Sequence, residues 1–91
     1  MRVLSWTTPR LVWKSWGEEV IVFNVASGNT HLLSPVAAQA LRILEQNPAT
    51  IFELSNKLAG SASVDADEEF IEHVEKLITN LDELGLVEPV S

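Results

Sequence analysis

The sequence predicts an α+β fold, a three-stranded antiparallel sheet followed by three helices in the order βββααα. Three observations carry this. Between residues 10 and 34 the apolar positions recur with the period of two that strands require. Between 35 and 84 they recur at steps of three and four, the period of an amphipathic helix. The glycines, at 17, 28, 60 and 85, stand singly and punctuate the elements. Ninety-one residues make one small domain, 1–91, with a modest core.

Residues 1–9 lack a clear period; Arg2–Trp6 is a candidate strand that Thr8-Pro9 would end. "RLVWKSW" (10–16) alternates Leu11, Trp13 and Ser15 with Val12, Lys14 and Trp16, and its aromatic and β-branched residues suit a pleated surface. After Gly17, "EEVIVFNV" (18–25) sets Ile21, Phe23 and Val25 on one face against Val20 and Val22 on the other. Apolar residues on both faces predict a central strand covered on both sides. Ser27-Gly28-Asn29 is a hairpin turn, because Gly and Asn tolerate positive φ. "THLLS" (30–34) is the short third strand.

Ser34 and Pro35 are a good N-cap and first helical residue. Val36, Ala37, Ala40, Leu41 and Leu44 mark one face of a helix that ends near Gln46, before Asn47-Pro48. Thr50 and Glu53 form a capping box for a second helix, with Ile51, Leu54, Ser55 and Leu58 inward and a stop at Gly60. "SASVDADEE" is a polar loop and a helix start, capped by Asp65 or Asp67. Glu68 and Glu69 suit the positive end of that third helix. Its stripe is Phe70, Ile71, Val74, Leu77, Ile78, Leu81 and Leu84, and Gly85 stops it. "LVEP" is a candidate final strand. The outline is that of a winged helix-turn-helix with its hairpin placed first.

Composition and charge narrow the function. A hydrophobic fraction of 46% suits a packed domain. The absence of cysteine removes disulfides, thiol nucleophiles and cysteine metal sites. No apolar run approaches the roughly 20 residues a membrane span needs, and "MRVLSWTTPR" is too polar for a secretory segment. The expected setting is cytoplasmic, with no membrane partner. Six basic residues, spread along the chain, face thirteen acidic ones, giving a formal charge of −7. Nucleic-acid binding rests on clustered cations. The third helix offers Lys76 against Asp67, Glu68, Glu69, Glu72, Glu75, Asp82 and Glu83, so it would be repelled by phosphates and no nucleic acid is expected.

Catalytic chemistry finds no constellation. His31 and His73 are the only histidines, and no nucleophile elbow accompanies them. The acidic run from Asp65 to Glu75 lacks a metal-loop pattern and reads as a solvated helix face; an attraction for a basic partner is the alternative. No Gly-rich phosphate loop exists. Enzyme activity, metal and cofactor are therefore not expected. Trp6, Trp13 and Trp16 are either core or interface residues.

The segments "LVWKSW", "EEVIVFN", "SGNTHLLSPVAAQAL", "PATIFELSNKL" and "LITNLDELGLVE" together resemble the PqqD-like peptide-chaperone family over roughly residues 10–88, with SGNTHLLSP the most specific piece. The nearest branch in pattern is that of the HPr-rel-A system. The resemblance implies a RiPP recognition element: a small domain that binds the leader of a ribosomally made precursor peptide and presents it to a modifying enzyme. That partner would be a radical-SAM protein or, in this branch, an HPr-kinase-like system protein. It also implies that the leader adds as a strand to the third strand, at Asn29, Thr30, His31, Leu32 and Leu33. Val74, Leu77, Ile78 and Leu81 of the third helix would wall the groove. The residues agree, for nothing between Asn24 and Ser34 carries a charge and no proline intervenes before Pro35. Four alternatives stay open: the edge is covered by residues 1–9, it pairs with a second copy in a homodimer, the module docks on an enzyme without peptide, or, against its charge, it is a DNA-binding regulator.

Overall fold

The structure, a computed structural model, describes residues 4–90. β1 (Ser5–Thr7) pairs with β5 (Ala49–Thr50) on one side and β6 (Glu88–Pro89) on the other. β2 (Leu11–Trp16), β3 (Glu19–Asn24) and β4 (Thr30–Leu33) form a second antiparallel sheet in sequence order. The helices are α1 (Pro35–Gln46), α2 (Ile51–Ala62) and α3 (Glu68–Glu83). The α+β class and the predicted order hold, with a second small sheet added.

The hairpin register runs from Val20 opposite Leu33 to Phe23 opposite Thr30. The Asn24 N–H donates to the Asn29 carbonyl at 2.9 Å, and Gly28 turns at φ +77°. Every second residue shares a face. Leu11, Trp13, Val20, Val22, His31 and Leu33 therefore look toward the helices. Val12, Lys14, Ile21, Phe23, Thr30 and Leu32 look outward. β3 is central, but it is covered on one side only. Val22 is fully buried, whereas Phe23 remains 37% exposed on the outer face, where no element packs among the described residues.

The helix ends follow their caps. Ser34 Oγ accepts the Ala37 N–H of α1. Thr50 and Glu53 complete the α2 capping box reciprocally. Asp67 caps α3 by accepting the Phe70 N–H at 2.9 Å. Gly85, at φ +76°, ends α3 as expected, with the Leu86 N–H returning to the Leu81 carbonyl at 2.9 Å. α2 does not stop at Gly60. A glycine in an exposed final turn costs only about 1 kcal/mol against alanine, and the helix runs on to Ala62, where Ser63 takes the left-handed conformation instead.

Leu41, Leu44, Leu54, Ile78, Leu81 and Leu86 are the large, fully buried side chains around which all the helices meet. The inward face of α1 is Ala37, Ala38, Ala40, Leu41 and Leu44; Val36, expected among them, is 48% exposed at the start of the helix. Trp6 and Trp13 pack partly buried against the core. Trp13 also fastens β2 to α1: its Nε1–H donates to both oxygens of Glu45 at 2.8–2.9 Å, and the Arg42 guanidinium lies 4.5 Å from the ring centroid.

Candidate functional site

β4 is an edge strand: among the described residues it pairs with β3 alone. β1, within the segment 1–9 that is one alternative cover for that edge, lies in the other sheet, and residues 1–3 of the segment lie outside the described residues. The Asn24–Asn29 bond fixes which backbone groups face inward. In an antiparallel ladder, bonded and non-bonded pairs alternate. Asn24–Asn29 is a bonded pair, so Val22–His31 and Val20–Leu33 are bonded too. The N–H and C=O groups of Thr30 and Leu32 consequently point away from β3, along the open edge. β2 is the other edge, but it carries Lys14, a residue type that blunts strand pairing, whereas β4 carries no charge.

A single contact orients α3 against this edge. Asn24 is 4% exposed, and its Nδ2–H donates to the Gly85 carbonyl at 2.7 Å, while its Oδ1 accepts the N–H groups of Ala26 and Ser27. The hairpin turn is thereby tied to the C-terminal end of α3. α3 and β4 then run in opposite senses, with the start of α3 toward Leu33 and Val36. An open hollow of about 370 Å³ lies between the start of α1 and α3; its apolar lining is Val36 of α1 with Phe70, Val74 and Leu77 of α3. His73, Lys76 and Asn80 form its polar rim.

The candidate residues divide accordingly. Asn29, Thr30 and Leu32 are exposed, Leu32 at 63%, and His31 is half-buried. Leu33 is buried beneath the edge. Leu77 lines the hollow, and Val74, nearly buried, contributes to its floor. Ile78 and Leu81 are each 1% exposed and belong to the core; they stand behind the hollow instead of walling it. Helical periodicity marks the whole stripe as inward but does not say which flank meets β4. Val36, Phe70, His73, Lys76 and Asn80 were missed for that reason. Lys76 was visible as the single cation of the helix.

His31 carries one further feature. Its Nε2 is buried and has no hydrogen-bond partner among the described residues. Among these residues, no group of three or more His, Asp or Glu side chains converges as a metal site would require, and no helix is long and apolar enough to cross a membrane.

No curated protein and no solved structure matches the chain. The family model described as coenzyme PQQ synthesis protein D (PqqD) matches residues 19–87, from the start of β3 to the residue before β6. That span takes in the open edge, the hairpin tie and the hollow, and it is well over half of the sequence. The chain belongs to the PqqD family, whose members are peptide-binding, non-catalytic accessory chaperones.

Proposed function

We propose that this protein is an adaptor that holds the leader of a ribosomally made precursor peptide by strand addition at β4 and presents it to a modifying enzyme. The enzyme would be of the radical-SAM kind or, if the chain falls in the HPr-rel-A branch, an HPr-kinase-like system protein. The observation that carries the reading is the edge itself: an uncharged strand with the backbone groups of Thr30 and Leu32 turned outward, leading into α1, whose Val36 lines an apolar hollow against α3. Main-chain bonds would supply affinity, and the hollow would select alternate side chains.

Leu32→Pro tests this at one atom. Proline removes an N–H that points off the sheet and leaves the bonded pairs to β3 intact. The expected result is loss of peptide binding by at least about tenfold, roughly 1.4 kcal/mol, with the unfolding midpoint little changed. Binding of the neighbouring precursor peptides at undiminished affinity would refute strand addition at β4.

A second reading is direct docking on an enzyme with no peptide. It draws on the outer sheet face, where Val12 and Phe23 are exposed together. Enzyme capture by the peptide-free protein that is lost in Phe23→Ser but kept in Leu32→Pro would favour it.

A further inference from the structure

The apolar hollow between α1 and α3 borders an acidic flank. His73, Lys76 and Asn80 form its rim. Successive residues of a helix turn by about 100°, so the surface beyond that rim belongs to Glu69, Glu72 and Glu83. Two neighbouring hollows share this flank. One is lined by Glu69 and Glu72 beside His73 and Lys76, and the other adds Glu75 and Glu83. Lys76 is the single lysine or arginine in the three linings, and the carboxylates outnumber it. The formal charge of the whole chain is −7, so the distant field has the same sign as the flank. That field repels a second copy of this chain and a nucleic acid alike. The complementary occupant is a segment with an apolar anchor and cations next to it.

Resting on the strand-addition reading, we propose that the leader bound here carries, just N-terminal to the stretch paired with β4, an apolar residue preceded by lysine or arginine. The position follows from chain direction. A strand added antiparallel to β4 has its N-terminal end beside Leu33. From Leu33 the chain passes through Ser34 into α1, and Val36 in the first turn lines the hollow. Leader residues upstream of the paired stretch therefore lie toward the hollow. The apolar one seats against Val36, Phe70 and Leu77, none of which is fully buried. The cations before it lie over the first turns of α3, where Glu69 and Glu72 are exposed and one turn apart. Lysine and arginine lay their stems along apolar surface and keep the charged head in water, which suits a carboxylate rim beside an apolar hollow. Each exposed pair contributes modestly. The field of the whole chain adds to it and speeds encounter, and both effects weaken with salt.

Synthetic peptides that share one uncharged strand-forming stretch test this. They differ in the triplet before it: Lys-Lys-Leu, Gln-Gln-Leu, Glu-Glu-Leu or Lys-Lys-Ser. One more carries Lys-Lys-Leu after the stretch. Each is titrated into the isotope-labelled full chain, with amide shifts followed at Thr30 and Leu32 for the edge and at His73 and Leu77 for the hollow. At low salt Lys-Lys-Leu should bind about tenfold tighter than Glu-Glu-Leu, and more tightly than Lys-Lys-Ser or the peptide with the reversed order. The charge preference should shrink at roughly 1 M salt. Glu69→Gln with Glu72→Gln should weaken it more than Asp82→Asn with Glu88→Gln, a pair that changes the net charge equally at exposed sites outside the hollow. Edge shifts with an equal or inverted charge preference, with a preference that both double variants weaken alike, or with no dependence on order would overturn the basic upstream segment and leave strand addition standing. Shifts absent from Thr30 and Leu32 with every peptide would overturn both.

Discussion

Asn24 shows how much one side chain can set. It joins the hairpin to the end of α3 through a donor to Gly85 and an acceptor for Ala26 and Ser27, and it is almost wholly buried. Without it, the carbonyl and the turn amides would lose their partners inside the fold. Asn24→Ala should therefore destabilise the protein by about 1–3 kcal/mol, read as a lowered urea midpoint with an unchanged slope. Asn24→Asp should cost as much, because it keeps the acceptor but sets a carboxylate against the Gly85 carbonyl. In the sequence, Asn24 stands at an inward position of an apolar strand and looks like the strand's polar end. Its partner lies 61 residues away, so nothing local reveals the bond. His31 is similar: its place beside the turn is legible, and its unpaired nitrogen is not.

Elements were legible where local chemistry decides them. Ser34-Pro35, the Thr50–Glu53 box and Gly85 each act within one turn of helix, and each marks a boundary close to where it occurs. β5 escaped notice because two residues after a proline have no period, and their pairing with β1 is a distant event. The outer face of β3 misled for another reason. Apolar residues on both sides of a strand ordinarily imply cover on both sides, but here Phe23 and its neighbours stay open. The capping box of α2 gives a pH test. The carboxyl of Glu53 is held below its ordinary range, chiefly because it accepts the Thr50 backbone N–H and then through the Thr50 hydroxyl. A depressed carboxyl contributes stability above its unfolded pKa and loses it as pH falls through the folded one. Wild type should thus be more stable than Glu53→Gln at neutral pH, and the gap should close as the carboxylate range is crossed downward. Denaturation midpoints of the pair at neutral and acid pH measure this; a constant gap would show that the charge plays no part. Thr50→Ala, which deletes the cap, should cost about 1 kcal/mol.

At the scale of the molecule, one core serves two sheets. Ala49 of β5, Val87 beside β6, Val22 of β3 and Leu33 of β4 are all buried in the same cluster with the three helices. A domain of this size has roughly 5–15 kcal/mol of stability in total, too little for either sheet to persist once that cluster opens. The two sheets should therefore unfold together, leaving the β4 edge open by construction and not by fraying. Trp6 in β1 and Trp13 in β2 report one sheet each. Two variants isolate them: Trp13→Phe with Trp16→Phe retains Trp6, and Trp6→Phe with Trp16→Phe retains Trp13. Within each variant, tryptophan fluorescence and far-ultraviolet circular dichroism should give the same denaturation midpoint. An earlier fluorescence transition in the Trp13 variant would mean that the sheet bearing β4 loosens by itself. Peptide capture would then couple to ordering of that sheet, and its affinity would fall with any substitution that weakens the Asn24 tie.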